Sequence, residues 1–196
     1  MRSRRSVRTT VLAAALVATA SVGVLTGCAQ NSREGQPLGQ PIEAGLYASD
    51  FDGSLNFTAE SFDKVSASDL ESWKIDPLGQ DAYLATFTIS VASGDYDADT
   101  RDAFGNDKWG VTVDGETTKG PALYSSFGID REALNKACPN DKEARGAALA
   151  AGDEATACAL LLTEAGSTPS EVAFVGASSD ARRSIGGDII SWSVEK

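Results

Sequence analysis

The sequence predicts an all-β fold, a two-sheet antiparallel sandwich, and three observations carry that expectation. Apolar and polar residues alternate with a period of two along several short stretches. Gly, Pro, Asn and Asp punctuate those stretches at short spacing. The pattern changes only between Phe127 and Ala155, where helix-capping residues replace the alternation.

Taken in order, Ser54–Val65 alternates through Leu55, Phe57 and Ala59 before Phe62 and Val65. Ala82–Val91 is the clearest strand. Tyr83, Ala85, Phe87, Ile89 and Val91 share one face, and Thr86, Thr88 and Ser90 share the other, as expected for a sheet buried on one side. Trp109, Val111 and Val113 repeat the alternation and run into Asp114-Gly115, a tight-turn dipeptide, and then Glu116–Lys119. Ala122–Phe127, Ala155–Thr163, Ser170–Gly176 and Asp188–Val194 supply the remaining strands. Asp153, Gly166, Pro169 and Gly186-Gly187 separate the later ones. In the connecting segment Asp130 is placed to cap a short helix carrying Glu132, Leu134 and Ala137, which Pro139 ends. Asn140 with Glu143 offers a second short start.

The N-terminus reads differently. Arg2, Arg4, Arg5 and Arg8 precede an uncharged run from Val11 to Val24, and no acidic residue occurs before Cys28. The run has the length of a signal-peptide core and is short for a membrane span. It closes in Leu25-Thr26-Gly27-Cys28, which resembles the lipobox of bacterial lipoproteins. That resemblance implies a diacylglyceryl group on Cys28, cleavage just before it, and a domain held at the cell membrane facing away from the cytoplasm. Two acyl chains give a stable anchor where one does not. Ser3-Arg4-Arg5-Ser6-Val7 also hints at twin-arginine export. The expected organisation is therefore a signal peptide over 1–27, a flexible tether over 28–45 and a sandwich domain over 46–196. The tether reading rests on residues 29–45, rich in Gln, Gly, Pro and Ser and poor in apolar groups.

Removing residues 1–27 takes four of the 17 basic residues and none of the 28 acidic ones, leaving a net charge of −15. Such a surface repels nucleic acid and anionic headgroups, and by itself needs no partner beyond water. The chain has no His. That removes the usual general base near neutral pH, the Ser-His and Cys-His nucleophile pairs, and nearly all zinc-enzyme sites. After Cys28, Cys138 and Cys158 remain, and two cysteines in an exported domain read as one disulfide.

The C-terminal half carries a second resemblance. Ala137-Cys138-Pro139, then Leu149-Ala150-Ala151-Gly152-Asp153 leading into Ala157-Cys158-Ala159-Leu160, then Gly166-Ser167-Thr168-Pro169-Ser170 form the run. It resembles the immunoglobulin-like domains of Gram-positive, especially actinobacterial, surface lipoproteins, over about a third of the chain. Ala151 departs from the Pro often found before that Gly. The resemblance implies an extracellular immunoglobulin-like β-sandwich and transfers no catalytic residue.

Candidate chemistry is sparse. Ser61-Phe62-Asp63-Lys64 matches the Ser-x-x-Lys nucleophile motif, but in a strand residues three apart face opposite ways, and the partner motifs are missing. Asp95, Asp97 and Asp99 have the alternating spacing of a calcium loop, while Thr100 and Asn106 stand where an EF-hand needs Gly and Glu. Trp109 and Trp192 lie in alternating strands and read as core. Trp73, between Ser72 and Lys74, reads as an exposed ligand contact. No cofactor is called for. The expected function is a membrane-anchored, non-enzymatic binding or interaction module whose partner is an envelope protein or cell-wall ligand. A carboxylate-based hydrolase of envelope carbohydrate and a calcium-dependent adhesion module are the alternatives.

Overall fold

Alternating side chains force two sheets to meet face to face, and the computed structural model shows that meeting. It describes residues 33–46, 51, 53–96, 105–120, 129–138, 149–178 and 188–195. One sheet contains β3 (Ser54–Lys64) between β2 (Ile42–Leu46) and β4 (Asp81–Ser93), with β7 (Glu154–Thr163) beyond β4. The other contains β8 (Glu171–Ser178) between β9 (Asp188–Ser193) and β5 (Trp109–Val113), flanked by β1 (Gln36–Pro37) and β6 (Glu116–Lys119). Among the described strands all pairings are antiparallel except β1 with β9. β2 joins the sheets: Ile42–Ala44 pair with β3, while Gly45 and Leu46 pair with Ser178 and Ala177 of β8. This is the two-sheet sandwich that the alternation predicts. Here the long consecutive strands β3 and β4 stay in one sheet.

Five aromatic rings fill the space between the sheets. Phe57 and Phe87 come from one sheet, and Trp109, Phe174 and Trp192 from the other; all are fully buried. The Phe87 and Trp109 rings stack 3.5 Å apart, and Phe57 stacks on Phe174 at 4.5 Å. Trp192 also donates its indole N–H to the Gln40 carbonyl at 2.7 Å. The Trp109 indole N–H has no hydrogen-bond partner among the described residues. An unmet donor costs about 1–3 kcal/mol. Burying about 200 Å² of indole returns about 5 kcal/mol, so the ring stays in the core.

Parity explains β3. Leu55, Phe57 and Ala59 face inward, and a bulge between Ala59 and Ser61 shifts the register by one. Phe62 therefore faces the core side, where it stacks on Tyr83 at 4.8 Å.

The outer face of β4 and β7 is covered rather than wet at one end. Helix α1 (Ala67–Ser72) starts at Ser66, whose side chain accepts from the Asp69 N–H. Helix α2 (Arg131–Ala137) starts at Asp130, whose carboxylate accepts from the Ala133 N–H, as the sequence predicts. Leu70, Trp73, Ala82 and Leu160 form a second small core with Leu134 and Leu162 packed against it. Cys138 at the end of α2 is bonded to Cys158 of β7, with Cα atoms 5.4 Å apart. The expected disulfide is present and staples α2 to the outer face of β7.

Two expectations are corrected. Trp73 is 5 % exposed, not a surface contact. Its polar sequence neighbours mislead because α1 is a helix: Leu70 and Trp73, three apart, share the face that packs on the sheet. The tether does not extend to residue 45, since the chain from Arg33 onward is bonded into the sandwich. The Arg33 carbonyl accepts from the Ser191 N–H, the Gly35 N–H donates to Ser191 Oγ, and Gln36–Pro37 pair with Trp192–Ser193. A polar segment can order without an apolar stripe when an edge strand satisfies its backbone, and Pro is tolerated at an edge. The expected strand at Ala122–Phe127 and the second helical start at Asn140 lie outside the described residues. No helix among the described residues is long and apolar enough to cross a membrane.

Phe87→Ala should destabilise the domain by about 3–5 kcal/mol, read as a lower urea midpoint, because it empties the centre of the inter-sheet stack. Replacing Cys138 and Cys158 together by Ala should cost about 3 kcal/mol, the chain-entropy value for a loop of this length, with the sandwich CD spectrum retained.

Candidate binding groove

A two-residue turn builds the first wall. Asp114 and Gly115 adopt φ of 51° and 80°, the left-handed pair that a tight hairpin requires. The turn sets Val113 opposite Glu116 and Val111 opposite Thr118. Directly paired residues share a face, so these four side chains form one surface. On the opposite surface the Thr112 and Thr117 hydroxyls meet at 2.9 Å.

The second wall is the end of β7 and the loop after it, through Leu162, Thr163, Glu164 and Ser167. Between the walls lies a groove of about 330 Å³. That is at the lower end for small-ligand pockets, about 300–1,000 Å³. The partly buried Val113 and Leu162 give it apolar surface, over the closed Val111. Asp114, Glu116 and Glu164 line it with carboxylates, and none of its lining residues is basic.

The loop is held by a relay. Lys64 Nζ sits 2.8 Å from Asp81 Oδ2, and the same oxygen accepts from the Gly166 N–H at 3.0 Å. The Glu164 carbonyl accepts from both the N–H and the hydroxyl of Ser167. The Lys64 hydrogen bond, then the Gly166 N–H, hold the Asp81 carboxyl below its ordinary range, while Asp81 raises the Lys64 ammonium above its own.

Two residues along β7 from the groove's Leu162, the strand edge is occupied. Asn106, in a single 3-10 turn at Asn106–Lys108, is 5 % exposed. Its side chain donates to the Leu160 carbonyl at 3.1 Å and accepts from the Leu160 N–H at 2.8 Å. It imitates a neighbouring strand on the outer edge of β7. A Cβ on Gly120 would stand 2.6 Å from Asn106 Nδ2 and 2.7 Å from its carbonyl, so only Gly fits beside the plug. Backbone groups two residues apart on a strand point the same way. Leu160 turns its N–H and C=O away from β4, and Leu162 does so too. Of the two, Leu162 borders the groove.

The residues singled out from the sequence do not converge here. Lys64 pairs with Asp81, and Ser61 lies on the same strand with no catalytic partner among the described residues. Asp95 is exposed just after β4, while Asp97 and Asp99 lie outside the described residues, as does Cys28. The Asp81 carboxyl is displaced downward, the opposite of what a general acid needs. The groove has no signature along the chain, because only the fold brings residues 111–118 to 162–167. The one local signal is the Asp114-Gly115 turn. No family model, curated protein or solved structure matches the chain.

Asn106→Ala should lower stability by about 2–3 kcal/mol in urea titration, since it leaves the buried Leu160 N–H and C=O without their partners. Asp81→Asn should lower the melting temperature slightly at pH 7, because both partners are partly exposed. Asp81 has a depressed pKa, so its contribution is complete above the ordinary aspartate value of about 3.9 and fades as pH falls through the depressed one. The Lys64 share is complete below its ordinary value and fades as pH climbs through its raised one. Melting curves of both proteins should therefore converge at acid and again at strongly alkaline pH.

Proposed function

We propose that this chain is an exported surface lipoprotein, anchored through Cys28, and that its sandwich is a non-enzymatic binding module using the groove between the β5–β6 hairpin and β7. The observation that carries the reading is the groove itself. It combines apolar surface, hydroxyls and carboxylates beside a strand edge that no described residue pairs, a set of groups suited to holding a ligand. A chain without His brings no ready general base to that site.

The N-terminal pattern supports the anchor. Cys28 and Arg33 are five residues apart, a length of chain that spans at most about 18 Å. The partner is then an envelope component within reach of the bilayer.

Incorporation of labelled palmitate into the wild-type chain, and its loss in Cys28→Ala with release from the membrane fraction, is the expected result for the anchor. For the module, a photo-crosslinker at Thr118 should capture a defined envelope component that one at exposed Leu78 does not. Equal labelling from both positions would contradict the groove as the site.

A further inference from the structure

A second, smaller core lies on the outer face of the sandwich, and one covalent bond closes it. Leu70, Trp73, Ala82 and Leu160 are its buried members, and Ala133, Leu134 and Leu162 pack against them. The two helices that cover it are fixed differently. α1 sends Leu70 and Trp73 into it, and both are buried. The chain on either side of α1 is bonded in place: the Val65 N–H donates to the Ala82 carbonyl, and the Ile75 N–H to the Leu70 carbonyl. α2 is seven residues long, and none of them is buried. Ala133 and Leu134 rest on the small core only partly covered. The Asp130 N–H donates to the Trp73 carbonyl at 2.8 Å, and Lys74 Nζ stands 3.9 Å from Asp130 Oδ2, with both side chains partly exposed. The buried residue at the end of α2 is Cys138, bonded to Cys158 of β7. A helix this short is marginal by itself in water, and an exposed ion pair adds little to it. The bond to β7 supplies the hold that the side chains of α2 do not.

We propose that the Cys138–Cys158 bond is a redox latch on this cover, opened by a dithiol reductant. One thiolate of the reductant attacks a sulfur of the bond, and its second thiol releases the mixed disulfide. Two electrons and two protons pass to the pair. Cys138 and Cys158 become thiols, and the reductant becomes a disulfide. The reduced chain regains the freedom of a 20-residue loop. α2 then lifts from β7, and Trp73 and Leu134 meet water. The sandwich stays folded around Phe87 and Trp109, because among the described residues no buried side chain belongs to both cores. In the closed state Cys138 is 4 % exposed and Cys158 3 %. A thiol therefore reaches them through local opening of α2, without unfolding of the sandwich.

The test reduces the full chain under native conditions with dithiothreitol, and alkylation with peptide mapping identifies the freed Cys138 and Cys158. Tryptophan emission should then shift to the red. The shift should be absent from Trp73→Phe, since Trp109 and Trp192 stay in the sandwich. In the isotope-labelled chain the amides of Leu134 and Lys136 should move to random-coil positions, while those of Phe87 and Ile89 keep their dispersed shifts. Cys138→Ser combined with Cys158→Ser should give the same open spectrum without reductant. Reduced protein with unchanged emission and unchanged α2 amides would overturn the latch. Loss of dispersion at Phe87 and Ile89 on reduction would overturn it too, by making the bond a support of the whole fold. A bond that yields to dithiothreitol only in denaturant would have the same consequence.

Discussion

The stack of Phe87 on Trp109 fixes how the two sheets meet, and the rest of the molecule is arranged around it. The two rings come from opposite sheets, and Phe57, Phe174 and Trp192 close around them. Broad rings at the centre leave room for small side chains elsewhere. Ala59, Ala85, Ala157 and Ala159 fill inward positions on β3, β4 and β7. Interiors packed to crystal-like density allow few other solutions. The position of β5 follows, because Trp109 is its first residue, and with it the hairpin that walls the groove.

The sheets are joined at one side and apart at the other. β2 passes from β3 to β8, so backbone pairing runs continuously through it. Among the described strands the opposite side ends in β6 and β7. Proteins usually blunt such edges. β6 is four residues long and carries Glu116 and Lys119, and β7 is stapled by Cys138 and plugged by Asn106. Among the described residues the stretch around Leu162 lacks such a device, and it is the stretch that faces the groove.

Much of the sandwich is legible in the sequence because period-two patterning reports burial on one face. β4 and β5 can be read residue by residue, and Asp130 announces α2 through its cap. The failures share a cause. Trp73 sits among polar neighbours in sequence, yet α1 rotates it onto Leu70, and a six-residue helix is too short to show a period. Ser66 with Asp69 is the available signal. Residues 33–37 have no apolar stripe, because their order comes from backbone pairing with Ser191–Ser193, which composition does not encode; Ile42 and Ala44 do alternate into the core, but too briefly to stand out from their polar neighbours. β7 is buried on both faces by the helices, so its outward Leu160 carries no alternation to read. The groove is invisible for a further reason: its walls lie some fifty residues apart in the chain.

Amide hydrogen exchange at two neighbouring positions tests most directly whether the outer edge of β7 is covered at Leu162. Leu160 and Leu162 have the same side chain and the same strand, and differ in whether Asn106 covers their outward N–H. An edge open at Leu162 predicts slow exchange at Leu160, near the limit set by global unfolding, and fast exchange at Leu162 in the free protein. Equally slow exchange at both would mean that the edge is already occupied and that the groove is closed.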